Sequence, residues 1–200
     1  MGKANDTRAA LLYAAMKVIG RHGYSGATVD EIAEEAGVSK GNVYYHFKTK
    51  GDIATSMLVE GVERFISLLK REIAQSASGA DALRRMITSF TQAVFSEPLF
   101  ARFMLTELWR DDRIWSEPMH KLEEECTLII QQQIERGQAE GTLRASLDAR
   151  FAAVALLGTV LTGTQYYLLE DQAATSKEKS DQFVDRVVDY ASHALKSERF

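Results

Sequence analysis

The chain is poor in cysteine and proline, with one cysteine and two prolines among 200 residues. Its single thiol, Cys126, cannot form a disulfide within the chain and leaves no cysteine–histidine cluster with the spacing of a zinc site. The prolines, at positions 98 and 118, leave long stretches in which apolar residues recur at helical spacing, and no segment has a convincing strand pattern. The sequence therefore predicts an all-α fold that binds no metal and no cofactor.

Long apolar runs and catalytic motifs are also absent from the sequence. No stretch of 18 residues is both apolar and free of charge, and the first residues do not follow the pattern of a leader peptide. We therefore expect a cytoplasmic protein that does not insert into a membrane. The chain has no glycine-rich phosphate loop and no G-x-S-x-G or H-E-x-x-H motif, and the acidic run 123–125 is typical of a solvated helix face. An enzyme is not expected, and no catalytic residue is predicted.

The formal net charge of −4 is unusual for a protein that binds nucleic acid, but this charge is unevenly distributed. Residues 1–50 contain 7 Lys and Arg against 5 Asp and Glu, a balance of +2, whereas residues 51–200 contain 17 against 23, a balance of −6. A local positive field attracts a polyanion while the acidic remainder stays away from it. The N-terminal quarter is therefore the part of the chain suited to DNA.

Residues 28–50 have the pattern of two short helices joined by a tight turn. Thr28 and Glu31 have the spacing of a capping box, in which each side chain caps the backbone of the other at a helix start. Gly37 supplies a residue able to adopt positive φ at the end of the first helix, and Ser39 caps a second helix two residues later. So short a link forces the two helices to cross at a steep angle.

The second of these helices has an apolar side and a polar, aromatic and basic side. Val43 and Phe47 are four residues apart and are expected to face inward. The remaining surface carries Lys40, Asn42, Tyr44, Tyr45 and His46. Such a helix fits the major groove of B-DNA, where Lys, Asn and His bind base edges and Tyr hydroxyls reach phosphates. Gly41 leaves room for close approach of DNA, and Lys50 is expected to bind a phosphate, with a solvated lysine as the alternative.

Taken together, these motifs resemble the helix-turn-helix of the TetR family of bacterial transcriptional regulators. The matching segments are His22-Gly23-Tyr24, Thr28-x-x-x-Ile32-Ala33, Gly37-Val38-Ser39, Tyr44-Tyr45-His46-Phe47 and Lys50. Residues 39–50 are especially similar to the recognition segment of a multidrug-binding repressor of that family, and that likeness does not continue beyond residue 60. The resemblance implies DNA contacts by Thr28, Ser39, Lys40, Gly41, Asn42, Tyr44, Tyr45, His46 and Lys50.

The resemblance also implies an N-terminal DNA-binding domain of three helices, residues 1–50, and a C-terminal helical domain for effector binding and dimerisation, residues 51–200. Apolar periodicity predicts a bracing helix over residues 7–21, preceded by a polar segment too short to pack. Further helices are predicted over residues 49–76, 81–96, 99–109, 118–136, 148–169 and 180–196.

The most aromatic part of the chain, residues 100–115, is predicted to line an effector pocket. By resemblance, the second domain holds a small ligand among such helices, and aromatic and methionine side chains suit largely apolar or aromatic molecules. The predicted ligand contacts are Phe90, Phe103, Met104, Trp109, Trp115 and Tyr166. Ordinary core packing is the alternative for each of them, and Tyr166 is equally suited to a subunit interface.

The last two predicted helices, 148–169 and 180–196, have wider apolar surfaces than a monomer needs. The resemblance implies that they pair with a second copy in a four-helix interface, and that the homodimer binds a palindromic double-stranded operator. The hypothesis is a repressor released by a small-molecule effector. Two alternatives stay open, namely a DNA-bound regulator or recruiting protein that senses no ligand, and a repressor that responds to oxidation of Cys126.

Overall fold

The computed structural model describes residues 2–107, 112–170 and 177–196. Every secondary-structure element found in these ranges is an α-helix. The helices are α1 (Gly2–Gly26), α2 (Val29–Ala36), α3 (Lys40–His46), α4 (Lys50–Ala74), α5 (Gly79–Ser96), α6 (Pro98–Glu107), α7 (Ser116–Ala139), α8 (Ala149–Glu170) and α9 (Lys177–Leu195). One isolated antiparallel bridge joins Leu143 to Lys196. The predicted all-α fold is confirmed, and none of the described helices is long and apolar enough to cross a membrane.

The first helix differs from its prediction at both ends. It begins at Gly2 instead of near Thr7, because no proline interrupts residues 2–6 and helical bonding continues through this polar segment. Its regular part ends at Gly23, just beyond the predicted end at residue 21, and the Gly23 backbone has φ 69° and ψ 166°. That positive φ is open to glycine without a Cβ penalty, so Gly23 introduces the kink that leads the chain to Gly26.

The described residues fall into two compact units that are not contiguous in sequence. The first unit contains the chain up to Glu63 together with the stretch between Leu99 and Met119, and the second unit contains the remainder. Helices α4 and α7 each begin in the first unit and end in the second. The first unit thus holds the three N-terminal helices, the first part of α4, most of α6 and the start of α7.

Within the first unit, α6 comes close to α1 and α4 at two glycines. A Cβ at Gly20 of α1 would overlap the Cβ of Leu99, and a Cβ at Gly61 of α4 would overlap the ring of Phe100. Since these positions have no side chain, the first residues of α6 lie directly on the two helices.

Within the second unit, the start of α5 and the end of α7 meet backbone to backbone. A Cβ at Gly79 would overlap the backbone nitrogen of Gly137, so only glycine permits this approach. The carboxylate of Glu140 accepts from the Gly79 N–H at 2.8 Å and from Arg136 at 2.8 Å, and Arg136 donates to Ser76 Oγ at 3.0 Å. The Gly79 hydrogen bond is the main reason that the pKa of Glu140 is lowered. These bonds fix the two helix ends to each other.

Candidate nucleic-acid interface and effector cavity

The turn between α2 and α3 has the local geometry that its sequence predicts. The Glu31 N–H donates to Thr28 Oγ1 at 3.2 Å and the Thr28 N–H donates to Glu31 Oε2 at 2.8 Å, which confirms the capping box. The Thr28 hydroxyl also donates to Glu31 Oε2, at 2.8 Å, and the hydrogen bonds from this hydroxyl and from the Thr28 N–H lower the pKa of Glu31. Gly37 ends α2 with φ 67° and ψ 31°, and Ser39 Oγ accepts from the Asn42 N–H at 3.3 Å to start α3. Thr28 and Ser39 therefore both act as helix caps.

Helix α3 is anchored by its apolar side and open on the other. Val43 and Phe47 are buried, as predicted. The exposed residues on and next to the helix are Ser39, Lys40, Gly41, Asn42, Tyr44 and Tyr45, with His46 half-buried. Tyr45 is 81% exposed, and its ring meets that of His46 edge-on at 5.1 Å between centroids. The neighbouring Tyr44 is 48% exposed, and two adjacent exposed tyrosines beside exposed Lys40 and Asn42 have the placement expected of a binding surface.

The basic groups of this motif have partners inside the first unit. Lys40 Nζ lies 2.8 Å from the carboxylate of Asp30, and this hydrogen-bonded pair raises the pKa of Lys40. Both groups are exposed, so a DNA phosphate would compete with Asp30 for the ammonium. Glu35 of α2 binds Lys17 at 3.0 Å and Arg21 at 2.8 Å, and these bonds from α1 lower its pKa. Three helices are thus tied together around the turn.

Lys50 has a structural role that its sequence position did not reveal. Its Nζ donates to the carbonyls of Tyr24 and Ala27 at 2.7 Å each, and it lies 4.5 Å from the centroid of the Tyr24 ring. Two of the three N–H groups therefore satisfy carbonyls around the C-terminal end of α1, which would otherwise lack helical donors. The predicted phosphate contact stays a prediction, and it would use the third N–H.

The aromatic segment predicted to line a ligand pocket lies in the first unit, beside the end of α1. Trp115 is fully buried, with the Tyr24 ring 4.6 Å and the Phe103 ring 6.0 Å from it between centroids. The guanidinium of Arg113 lies 5.6 Å from the Tyr24 ring and 5.9 Å from the Trp115 ring, and its Nε donates to buried Glu107 at 3.0 Å. The segment therefore packs on Tyr24, whose carbonyl also accepts a hydrogen bond from Lys50.

The six predicted ligand contacts do not fall in one place. Phe103, Met104 and Trp115 are buried in the first unit, whereas Phe90 is buried in the second. Tyr166 belongs to the second unit and is 55% exposed. Trp109 lies outside the described residues. Among the five predicted contacts that the structure describes, Phe90 lines the apolar cavity of the second unit.

A small cavity of about 40 Å³ lies inside the second unit, among helices α4, α5, α7 and α8. Its wall is formed by Phe65, Leu69, Leu83, Met86, Ile87, Phe90, Cys126, Ile130, Leu156, Leu157 and Val160. The thiol of Cys126 is the only side-chain hydrogen-bonding group in that set, and burial raises its pKa to about 12. The cavity is therefore suited to a group that carries no polar atoms.

Large apolar side chains of α8 and α9 are exposed in the single chain. Phe151 is 73% exposed and Tyr190 is 62% exposed, and Val154 and Tyr166 are also more than half exposed. On α8, Phe151, Ala155, Gly158, Thr162 and Tyr166 recur at helical spacing along one side, where Gly158 is half-buried and the other four residues are exposed. Isolated exposed apolar residues are ordinary, but two exposed aromatic side chains on the same side of one helix favour an interaction surface.

Two family models match the chain in the regions just described. A model for bacterial regulatory proteins of the tetR family matches residues 11–57, and a model for a tetracyclin repressor-like C-terminal domain matches residues 80–187. The chain belongs to the TetR family. It is a DNA-binding transcriptional regulator, and the helix-turn-helix of this family is the α2–α3 pair.

Relatives of this TetR-family protein cover most of its length. The fatty acid metabolism regulator protein of Bacillus subtilis is 25% identical over 162 residues, which are 81% of this chain and 84% of that protein. The transcriptional activator FasR of Mycolicibacterium smegmatis is 26% identical over 84% of this chain and 75% of its own. The crystal structure of the transcriptional regulator FadR from Bacillus subtilis in complex with stearoyl-CoA has the same fold, with a TM-score of 0.77, 24% identity and coverage of 90% and 97%.

Sequence reasoning missed most of the cavity wall of this TetR-family chain. Leu156, Leu157 and Val160 belong to α8, which the sequence assigned to dimerisation, with Tyr166 as its one predicted ligand contact. The signal was present, because α8 is apolar around its whole circumference and not along one stripe. A helix of that kind needs apolar surroundings on two sides, and here one side lines the cavity while Phe151 and Tyr166 are exposed.

Proposed function

We propose that this TetR-family regulator is a homodimeric repressor that binds a palindromic operator and is released by a ligand with a long apolar chain. The class of ligand is inferred from the cavity in the second unit, because no side-chain oxygen or nitrogen lines its wall. A polar group buried there would lose its hydrogen bonds to water without replacement, which disfavours polar aromatic ligands. The ligand-sensing regulator is also favoured over an enzyme, because the relatives are named as transcriptional regulators.

The relatives support an acyl chain as the apolar group. One is named a fatty acid metabolism regulator, and the Bacillus subtilis FadR structure holds stearoyl-CoA. The cavity of about 40 Å³ has room for roughly one water molecule, so an alkyl chain has to displace side chains to enter. Met86 in its wall has an unbranched side chain that can adopt other rotamers.

Ligand entry is expected to shift the balance between a DNA-binding state and a released state. A ligand that requires the open cavity favours the released state by as much as its affinity differs between the two states. Helices α4 and α7 line the cavity and also begin in the unit that holds α3, so each provides a continuous covalent path between the two. We assign the coupling to these two helices.

Dimerisation through α8 and α9 is supported by the exposed aromatic side chains on α8 and by Tyr190 on α9. Two recognition helices related by a two-fold axis would bind half-sites about one helical turn, or a multiple of it, apart. In this proposal Lys40, Asn42 and His46 contact base edges and Tyr44 and Tyr45 reach phosphates. Thr28 caps the start of α2, whereas Ser39 and Gly41 lie at the start of α3, and all three would permit close approach of the DNA backbone.

The Cys126 redox alternative is not supported by the environment of the thiol. Cys126 is buried in the cavity wall, and its pKa of about 12 keeps it protonated at neutral pH. The thiolate is the species that reacts with oxidants, so this residue is better explained as part of an apolar wall. A regulator that senses no ligand remains the alternative that the experiment below distinguishes.

Operator release by acyl ligands tests the proposal. An operator selected from a random DNA pool would be labelled, and binding followed by fluorescence anisotropy with palmitoyl-CoA, octanoyl-CoA or CoA alone. We expect a palindromic operator, release by palmitoyl-CoA at micromolar concentration, weaker release by octanoyl-CoA and none by CoA. Unchanged operator affinity with every long-chain compound would favour the ligand-independent regulator.

A matched pair of variants connects that release to the cavity. Ile130 and Leu128 both lie on α7, but Ile130 lines the cavity whereas Leu128 is 47% exposed. Ile130→Phe fills the space an alkyl chain would enter and should abolish release while operator binding persists. Leu128→Phe adds the same ring outside the cavity and should respond as the wild type does. Equal responses from the two variants would show that the ligand binds outside this cavity.

A further inference from the structure

A second, larger cleft lies in the second unit, between α5, the turn at residues 141–143 and α9. Its volume is about 550 Å³, within the range of sites that hold drug-sized molecules. The lining residues are Ala80, Leu83, Arg84, Gly141, Thr142, Leu143, Val188, Ala191, Ser192, Leu195 and Lys196. Unlike the apolar cavity, this cleft contains two cationic side chains, Arg84 and Lys196, and two hydroxyls, from Thr142 and Ser192.

The cleft and the apolar cavity share one wall residue. Leu83 lines both of them, and its side chain is 96% buried, with 4% exposed. Leu83 is therefore the place where the two spaces adjoin. An amphiphile that crosses Leu83 would have its alkyl chain among apolar residues and its polar end among basic and hydroxyl groups.

The cationic groups of the cleft retain donors for a ligand. Arg84 binds Asp81 at 2.8 Å through one nitrogen, but its side chain is 55% exposed and a guanidinium has five N–H donors. Lys196 is exposed. Asp81 lies on the same turn of α5, so it weakens the positive field near Arg84, and a ligand with several negative charges is favoured over one with a single charge.

We propose that this cleft binds the phosphorylated carrier group of a long-chain acyl thioester, with Leu83 as the gate to the apolar cavity. The inference rests on the proposed function, since it takes the alkyl chain of the effector to occupy that cavity. A free carboxylate would be held by the same cations, but it would leave most of a 550 Å³ cleft empty. The cleft therefore selects the acyl thioester over the free fatty acid.

Binding affinities of palmitoyl-CoA and palmitate, measured by calorimetry on the full-length dimer, test this assignment. The double variant Arg84→Gln/Lys196→Gln should weaken palmitoyl-CoA binding about tenfold or more, because charge-assisted contacts to phosphate are lost. Palmitate affinity should change less than threefold. Arg84→Lys/Lys196→Arg, which keeps both charges, should restore most of the affinity for palmitoyl-CoA.

A charge-matched control removes two cations elsewhere in the second unit. Arg64→Gln/Lys70→Gln changes the net charge equally from exposed positions of α4 and should leave both affinities unchanged. Leu83→Trp should weaken both ligands, because the gate is then filled. Circular dichroism and unchanged operator affinity verify that each variant is folded.

The outcomes separate this inference from the proposed function. If the wild type binds neither palmitoyl-CoA nor palmitate, the acyl-chain function is wrong and the cleft assignment is wrong with it. If both bind and the Arg84→Gln/Lys196→Gln variant loses no more affinity for palmitoyl-CoA than the α4 control, only the cleft assignment is overturned. Equal losses for palmitoyl-CoA and palmitate would likewise overturn selection of the thioester.

Discussion

Lys50→Met removes the ammonium that holds the end of α1 and keeps most of its apolar stem. The variant loses hydrogen bonds to the carbonyls of Tyr24 and Ala27 and the contact with the Tyr24 ring. Hydrogen bonds to charged groups contribute about 1.5–3 kcal/mol each, and partial exposure of Lys50 places both at or below the low end. We expect the free energy of unfolding of the first unit to fall by about 2–3 kcal/mol.

Trp115 provides the signal for that measurement because it packs against Tyr24 in the same unit. The chain has two tryptophans, so a Trp109→Phe background leaves Trp115 as the only one. In urea, a loss of about 2–3 kcal/mol moves the unfolding midpoint by about 0.7–3 M, for a slope of about 1–3 kcal/mol/M. The control is Lys48→Met, since Lys48 is exposed and no hydrogen bond or ion pair to it is found among the described residues.

The same variants test whether Lys50 also binds a phosphate. If its third N–H does so, the slope of log K against log salt concentration for operator binding becomes shallower by about 0.9. We expect both effects from Lys50→Met. Coincident unfolding midpoints for Lys50→Met and Lys48→Met would refute the structural role. Lower stability with an unchanged salt slope would refute the phosphate contact.

Three further predictions concern the rest of the molecule. Gly41→Ala should raise stability by roughly 0.5–1 kcal/mol, since its Cβ would meet only Ser39 Oγ at 3.9 Å, yet weaken operator binding; unchanged affinity would exclude close approach of DNA there. The pKa of Glu35 is lowered, so the stability that its ionised carboxylate contributes is fully present above the ordinary pKa of 4.5 and is lost as the pH falls through the lowered pKa. Glu35→Gln should therefore make Tm depend less on pH on the acid side of a Tm-against-pH curve. An unaltered curve would contradict this. Cys126 should react with a disulfide reagent in urea and not in the native state at pH 8, and rapid native reaction would show that the thiol is accessible.

The helix-turn-helix was predictable because its determinants are local in sequence. The Thr28–Glu31 capping box, the positive φ of Gly37 and the Ser39 cap each involve residues at most three or four positions apart. Such interactions form the same way whatever the rest of the chain does. The inward positions of Val43 and Phe47 follow from the same helical spacing.

The wall of the proposed effector cavity was only partly predictable because its residues come from distant parts of the chain. The effector pocket was predicted at residues 100–115 because they are rich in aromatic side chains, yet Trp115 packs on Tyr24, 91 positions away. Composition identifies a side chain as apolar but not its partner. Leu156 and Cys126 line the cavity because α7 and α8 pack there, and no local pattern in either helix specifies that arrangement.

The close contact between Gly79 and Gly137 holds the C-terminal end of α7 against α5. With its C-terminal end held at Gly137, Ile130 is about 10 Å and Ser116 about 32 Å along the helix from that point, at 1.5 Å per residue. If α7 tilts as a rigid rod, a displacement at Ile130 is therefore multiplied about threefold at Ser116, by the ratio of the two lengths. Ser116 follows Trp115, whose ring packs on Tyr24, so the start of α7 is the end of the helix that such a tilt displaces most. Under the proposed function, such a tilt would let an alkyl chain between α7 and α8 disturb packing at the other end of α7.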